Sequence, residues 1–151
     1  MTRIFITGTA GAGKTTFAQR LAPILGLPAH GIDSFKWMAG WKTVPREVRL
    51  RRQQEIMASG SWLIEGVSAQ IQAAADVVVF LDIPRPLAYL RVFRRNLPCL
   101  FRSRPGLPPG CPEILVIPHL VKFIWRYPRT HRAALLGQIA DLHPRQTFHH
   151  I

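Results

Sequence analysis

The sequence predicts an α/β fold: a three-layer arrangement in which a parallel sheet carries helices on both faces and an arginine- and proline-rich lid. Three observations predict it. The runs RIFIT (3–7), SWLIE (61–65) and VVVFL (77–81) are short and continuously apolar, as strands buried on both faces are. Helical periodicities separate these runs, which makes βαβ units and a parallel order the expected topology. Where the first run ends, Gly8 to Thr15 (GTAGAGKT) fits GxxxxGK[ST], placed between a strand and a helix as that motif requires.

The elements follow in order. Arg3–Thr7 forms the first strand, closed by Gly8. From Lys14, the positions Phe17, Leu21 and Leu25 recur every fourth residue, so a helix runs to the stop signal Gly26. Ala29–Ile32 reads as a second strand ending at Asp33, and a Trp- and Gly-containing loop (SFKWMAGWKT) follows. Pro45 opens a helix to about Ser59. A short helix over Ser68–Ala75 joins the strands 61–65 and 77–81. Pro84 and Pro86 start the next helix, with an apolar stripe of Leu87, Leu90, Phe93 and Leu97; Arg91 and Arg95, four apart, share another face. Residues 98–112 hold five prolines and two glycines and read as a flap. Helical patterns resume near Glu113 and again over Pro128–Leu142, and Gln146–Ile151 fits a fifth strand. Trp62 and Trp125 read as core; Trp37 and Trp41 fit either a ring-stacking role or packing of their loop.

At 151 residues the chain has the length of one domain, 1–151, with no internal repeat and no linker. The two cysteines lack a CxxC pairing, so no disulfide framework is expected, and Cys99, Cys111 and His119 do not complete a four-ligand zinc set. The apolar N-terminal run is too short for a signal peptide, and no stretch reaches the length of a membrane span; a cytoplasmic location is the expectation. Twenty Lys and Arg against eight Asp and Glu give a formal charge of +12, which excludes an ordinary neutral surface and calls for an anionic partner. The surplus is concentrated: residues 85–132 hold ten bases, nine of them Arg, and one acid, Glu113. Arginine presents a planar fork suited to bidentate contact with phosphate.

The phosphate-loop motif carries the most specific chemistry. Gly8, Thr9, Ala10, Gly11, Ala12 and Gly13 let the backbone curl so that its N–H groups converge on phosphate oxygens, and the start of the next helix, through Thr16, adds its positive end. Lys14 is placed to reach the β- and γ-phosphates of ATP, and the Thr15 hydroxyl to ligate Mg²⁺.

The ordered set of the phosphate loop, GIDSFKWMAGWKTVPRE, SWLIEGVS, VVVFLDIPRPLAYLRVFRR, RSRPG, GCPE and WRYPRTHR resembles the adenylate-kinase-like P-loop kinases over nearly the whole chain, most closely the bacterial DNA topology modulation protein group. The resemblance implies sheet order 2-3-1-4-5 and a lid at about 98–112 closing over the phosphates. It implies ATP- and Mg²⁺-dependent phosphoryl transfer by a small-molecule or nucleotide kinase. Asp33 then stands where related kinases keep a carboxylate for the acceptor hydroxyl. Glu65 takes the place of the usual Asp that holds Mg²⁺ through water. Arg91 and Arg95 match arginines that flank the ATP base and phosphates, Arg129 and Arg132 match those that swing in after the lid, and Arg102 and Arg104 are lid arginines. The resemblance also implies a loop and final helix past the fifth strand that help hold adenine; with Ile151 as the last residue, the C-terminus reads as shortened.

Kinases of nucleoside monophosphates carry an arginine just after the step at the third strand, where this chain reads Glu65-Gly66-Val67-Ser68-Ala69. Asp33 suits a hydroxyl instead, which favours a nucleoside or another small alcohol as acceptor, although Lys42 and Arg46 are available to an acceptor phosphate. Two other functions compete with this one. The arginine-rich half fits a weakly hydrolytic or non-catalytic nucleotide-binding protein that binds nucleic acid, though no helix-turn-helix or RRM signature accompanies it. The stretch ILVIPHLVKFIW (114–125) within a basic surface fits an anionic membrane, though Pro118 interrupts it.

Overall fold

The computed structural model describes residues 2–103, 107–139 and 146–151, with backbone alone for 138 and 139. Five parallel strands form the main sheet: β1 (Arg3–Gly8), β2 (Ala29–Gly31), β3 (Trp62–Glu65), β4 (Val77–Leu81) and β5 (Thr147–His150). Their spatial order is β2-β3-β1-β4-β5, as the resemblance implies, and the expected fifth strand is present at the sheet edge. The helices are α1 (Lys14–Leu25), α2 (Arg46–Ala58), α3 (Ala69–Ala74), α4 (Arg85–Asn96), α5 (Ile117–Tyr127) and α6 (Ala133–Ile139).

Strand alternation divides the core between the two faces of the sheet. Ile4, Ile6, Leu63, Val79 and Leu81 pack under α1, against Ala18, Phe17 and Leu21. Phe5, Trp62, Ile64 and Val78 turn the other way, onto Ile71 of α3; Phe80 meets Tyr127 and Leu135. Both faces are covered, which is why the strands read as unbroken apolar runs. At the strand starts, Arg3 donates from Nη2 to Asp76 Oδ1 at 2.6 Å and from Nε to Oδ2 at 3.0 Å, fastening β1 beside β4.

Several elements differ from expectation. Asp33 lies in a 3₁₀ turn (Ile32–Phe35) just past β2, and the Trp-rich loop folds into a two-stranded hairpin, Trp37–Met38 against Lys42–Thr43. In α4 the buried positions are Ala88, Val92 and Asn96, whereas Leu90, Phe93 and Leu97 of the expected stripe are exposed. The reason is distance: a Cβ on Gly11 would lie 2.8 Å from the Ala88 carbonyl oxygen, so α4 approaches the phosphate loop too closely for large side chains. Trp125 is likewise not core. It is 60% exposed, because Ile124 and Tyr127 supply the inward positions of α5. Trp62 is buried as expected. The Pro128–Arg132 segment is a π-helical turn leading into α6, rather than the first part of one regular helix. Arg104, and residues 140–142 of the expected last helix, lie outside the described residues.

Among the described residues no helix is long and apolar enough to cross a membrane. Nor does any group of three or more His, Cys, Asp or Glu among them stand as a metal-binding set.

Candidate active site

The site is built where β1 turns into α1. Gly13 caps the helix with φ 95°, a left-handed conformation that glycine adopts without a Cβ penalty, and Phe17 N–H donates to the Gly13 carbonyl at 2.9 Å. Ala12 N–H closes the loop on the Thr9 carbonyl at 3.2 Å. The first N–H groups of α1 therefore have no helical partner and carry the positive end of the helix dipole.

Lys14 folds back over the loop and donates from Nζ to the carbonyls of Gly8 (3.0 Å) and Thr9 (2.9 Å). The residue is half-buried, with its ammonium turned onto these two carbonyls. Burial pushes its pKa below the usual lysine value; the charges of Glu65 and Asp33 pull it back up, and Arg95 opposes them. Two carboxylates and one guanidinium thus act on a single ammonium.

Thr15, one residue on, donates from Oγ1 to Glu65 Oε1 at 2.8 Å. Glu65 ends β3, beside β1, and Gly66 N–H fixes that corner on the Ile6 carbonyl at 3.0 Å. Gly31 on β2 makes room: a Cβ there would come within 2.9 Å of Glu65 Oε1. The longer carboxylate in place of the usual Asp fits because the neighbouring strand presents no side chain.

From the other side, Arg91 Nη1 reaches the Ala12 carbonyl at 3.5 Å, and Arg95 Nε donates to Asn96 Oδ1 at 3.0 Å. Thr16 is exposed on the first turn of α1, and Ala10 packs against the Ala88–Val92–Ile124 cluster. Thr9 is buried with its hydroxyl unpartnered. The loop therefore has an orphaned polar atom, free helix N–H groups, a lysine parked on carbonyls, and a hydroxyl and carboxylate offering hard oxygens. This donor set fits a triphosphate and a divalent cation.

Glu65 and Arg91 thus touch the loop at Thr15 and Ala12, and the charges of Asp33 and Arg95 reach Lys14. Arg129 and Arg132 make no such contact with the loop, although Arg132 lines a cavity shared with Thr9. Arg129 is exposed on the π-helical turn, and Arg132 is engaged by Asp82, Nη2 to Oδ2 at 2.7 Å. Asp82 was not singled out by the sequence reading. It also meets His150 Nε2 at 2.9 Å, and its backbone N–H donates to the Ile151 carbonyl at 2.7 Å. Burial alone would raise the Asp82 carboxyl, but hydrogen bonds from Arg132 and His150 outweigh it and hold the carboxyl below the usual range. The available signal was an acid ending an apolar strand just before Pro84. Asp82, Arg132, Thr9, Arg85 and Tyr127 line a cavity of about 380 Å³ beside the loop. Burial pushes the Tyr127 hydroxyl up to about 12.

The described ends of the 98–112 segment are also tied together. Ser103 and Pro112 form an antiparallel bridge, and Cys111 N–H donates to Ser103 Oγ at 2.8 Å. Trp41 Nε1 donates to the Pro112 carbonyl at 2.9 Å, while its ring meets Trp37 edge-on. Trp41 packs the hairpin onto Cys111 and Pro112; Cys99 and Cys111 are buried free thiols.

No protein-family model matches the chain, and no curated protein sequence matches it. Solved structures do. Shikimate kinase from Acinetobacter baumannii, in complex with shikimate, is 23% identical with a TM-score of 0.51, over 100% of this chain and 83% of that one. A sugar kinase from Janibacter sp. HTCC2649 is 18% identical (TM-score 0.48, 100% of this chain, 85% of that chain). Deoxyadenosine kinase from M. mycoides with bound dATP is 14% identical (TM-score 0.47, 100% and 90%). The likeness to the shikimate kinase is one of fold: a parallel five-stranded sheet wrapped by helices.

Proposed function

We propose that this chain is a Mg²⁺- and ATP-dependent phosphotransferase acting on a small acceptor through a hydroxyl group. The observation that carries the reading is the Thr15–Glu65 contact at 2.8 Å beside a Lys14 ammonium held on two loop carbonyls. Similarity to kinases at low identity and the ordered motifs of the adenylate-kinase-like group, the DNA topology modulation proteins among them, support it.

Bound Mg·ATP supplies the transferable phosphoryl group and a cation that neutralises its charge. The protein's part is positioning and charge. Lys14 exchanges the Gly8 and Thr9 carbonyls for phosphate oxygens. Thr15 and Glu65 are the residues that would hold the cation. Arg91, against the Ala12 carbonyl, and Arg95, whose charge reaches Lys14, would balance the phosphates. Asp33 orients the acceptor hydroxyl and takes its proton as that oxygen bonds to the γ-phosphorus and the bond to the β–γ bridging oxygen breaks, releasing ADP. Arg129 joins from the π-helical turn, and Arg132 joins by leaving Asp82. A cytoplasmic enzyme with a nucleoside or other small alcohol as acceptor is the form this reading takes.

The test is ADP release from Mg·ATP with separate pools of nucleosides, nucleoside monophosphates and small alcohols, and Lys14→Ala as control. Acceptor-dependent ADP that disappears in Lys14→Ala is expected. ATP binding that depends on Lys14, with no pool raising turnover, would overturn the phosphotransferase reading. Asp33→Asn should lower turnover about 10²-fold or more while ATP affinity stays within about twofold. Equal losses in both would place Asp33 in the architecture rather than the chemistry.

A further inference from the structure

Helix α4 has three faces, and the proposed chemistry uses two of them. Ala88, Val92 and Asn96 face the core, and Arg91 lies against the phosphate loop. The third face, Leu90, Phe93 and Leu97 at spacings of three and four, points outward with Leu90 63% and Leu97 65% exposed. Phe101, in the turn that follows, is 83% exposed. Ile114 N–H donates to the Leu100 carbonyl at 3.0 Å, bringing exposed Ile114 and Leu115 beside that turn. Helix α5 packs alongside α4 with Tyr89 Oη donating to the Val121 carbonyl at 3.2 Å, and Trp125 lies beneath the Arg85 guanidinium at 4.7 Å. The outward side chains thus form a ridge from Trp125 along α4 to Phe101.

We propose that this ridge and the bases around it dock the protein on the surface of an anionic lipid bilayer. Arg94, Lys122 and Arg126 are exposed on the same two helices. The single acid of residues 85–132, Glu113, is buried, so the described part of this segment presents no carboxylate to solvent. A second copy would bring one positive face against another. A nucleic acid would meet the bases but would leave Leu90, Leu97 and Leu115 against phosphate and water. A bilayer interface satisfies both sets: apolar tips enter the acyl boundary, Trp125 sits at the headgroup level, and arginines stay with anionic headgroups. α4 spans about 18 Å at the helical rise, so it lies on the surface and does not cross. Arg91 lies against the phosphate loop and is not part of the ridge, and the proposal stands whether or not the chain transfers phosphoryl groups.

The experiment is co-sedimentation of the chain with vesicles of phosphatidylcholine alone or with about 30% phosphatidylserine, across a salt series. Binding to the phosphatidylserine vesicles that weakens with salt is expected, with Trp125 emission shifting to the blue and the shift missing in Trp125→Phe. Leu90→Glu combined with Leu97→Glu should reduce partitioning about tenfold or more, since both apolar tips are lost. Arg94→Gln should reduce it about fivefold through charge alone, the loss expected for one base near such a surface. These exposed positions should leave the thermal midpoint and Lys14-dependent ATP binding unchanged, which separates lost docking from lost folding. No binding at low salt, or equal binding by the Leu90→Glu/Leu97→Glu variant, would overturn the proposal. So would a concentration-dependent dimer, or tight binding to duplex DNA or RNA, abolished by those same substitutions.

Discussion

The Lys14 ammonium answers to three charges, and each can be removed singly. Burial lowers its pKa first; Glu65 and Asp33 raise it, and Arg95 lowers it. Glu65→Gln removes one raising influence, so Lys14 should lose its proton at lower pH and ATP binding should fail earlier on the alkaline side. Arg95→Gln should move that limb the other way. Binding of ATP followed against pH decides both, and unchanged limbs would mean that Lys14 does not titrate against these groups. Glu65→Asp withdraws the carboxylate by one methylene from Thr15, and the Mg²⁺ concentration needed for half-maximal turnover should rise about tenfold, the lower end of the loss expected for one outer-shell partner. The loop residues were legible in the sequence because the fixed GxxxxGK[ST] spacing between strand and helix dictates their placement, whereas Glu65 came only from the resemblance. Asp82 was not, because its partners Arg132 and His150 are 50 and 68 residues away and only the sheet brings them together.

Between elements, the tightest constraint is the seat of α4 on the phosphate loop. Gly11 has φ +79°, and a Cβ there would also lie 3.1 Å from Val92 Cγ2. Gly11→Ala should push α4 outward and destabilise the protein by about 1–3 kcal/mol, through backbone strain and a clash with backbone atoms that cannot give way. Val92→Ala should not rescue it, because the nearer contact is the Ala88 carbonyl oxygen. Urea unfolding of the single and double variants measures this; full rescue would locate the clash in the side chain. The same contact explains why hydrophobic periodicity misread this helix. Counting large apolar residues selects Leu90, Phe93 and Leu97, whereas a helix laid against a glycine loop buries alanine and valine. The three central strands were legible because both of their faces are covered, leaving no choice of face to be mistaken.

Across the whole molecule, one carboxylate ties the sheet edge to the helical layer. Asp82 follows β4, accepts from Arg132 at the end of the π-helical turn, and meets His150 at the end of β5, while Ile151 N–H donates to the Phe80 carbonyl at 2.9 Å. Its carboxyl is held below the usual range, so folding favours the ionised form. That contribution is fully present above the unfolded carboxylate value of about 3.9 and is lost as pH falls through the lower folded value. Asp76, held down chiefly by its hydrogen bond with Arg3, adds a second contribution of the same sign. Protonation also enlarges a net charge that already stands at +12, so self-repulsion grows over the same range. Asp82→Asn should therefore cost about 1–3 kcal/mol near neutral pH, as expected when a partly buried charged acceptor is lost. The wild-type and Asn stability curves should converge in acid, where the native carboxyl is itself neutral. Urea unfolding at a series of pH values tests this, and a constant gap between the curves down to the lowest pH would mean that Asp82 acts through its shape and hydrogen bonds rather than its charge.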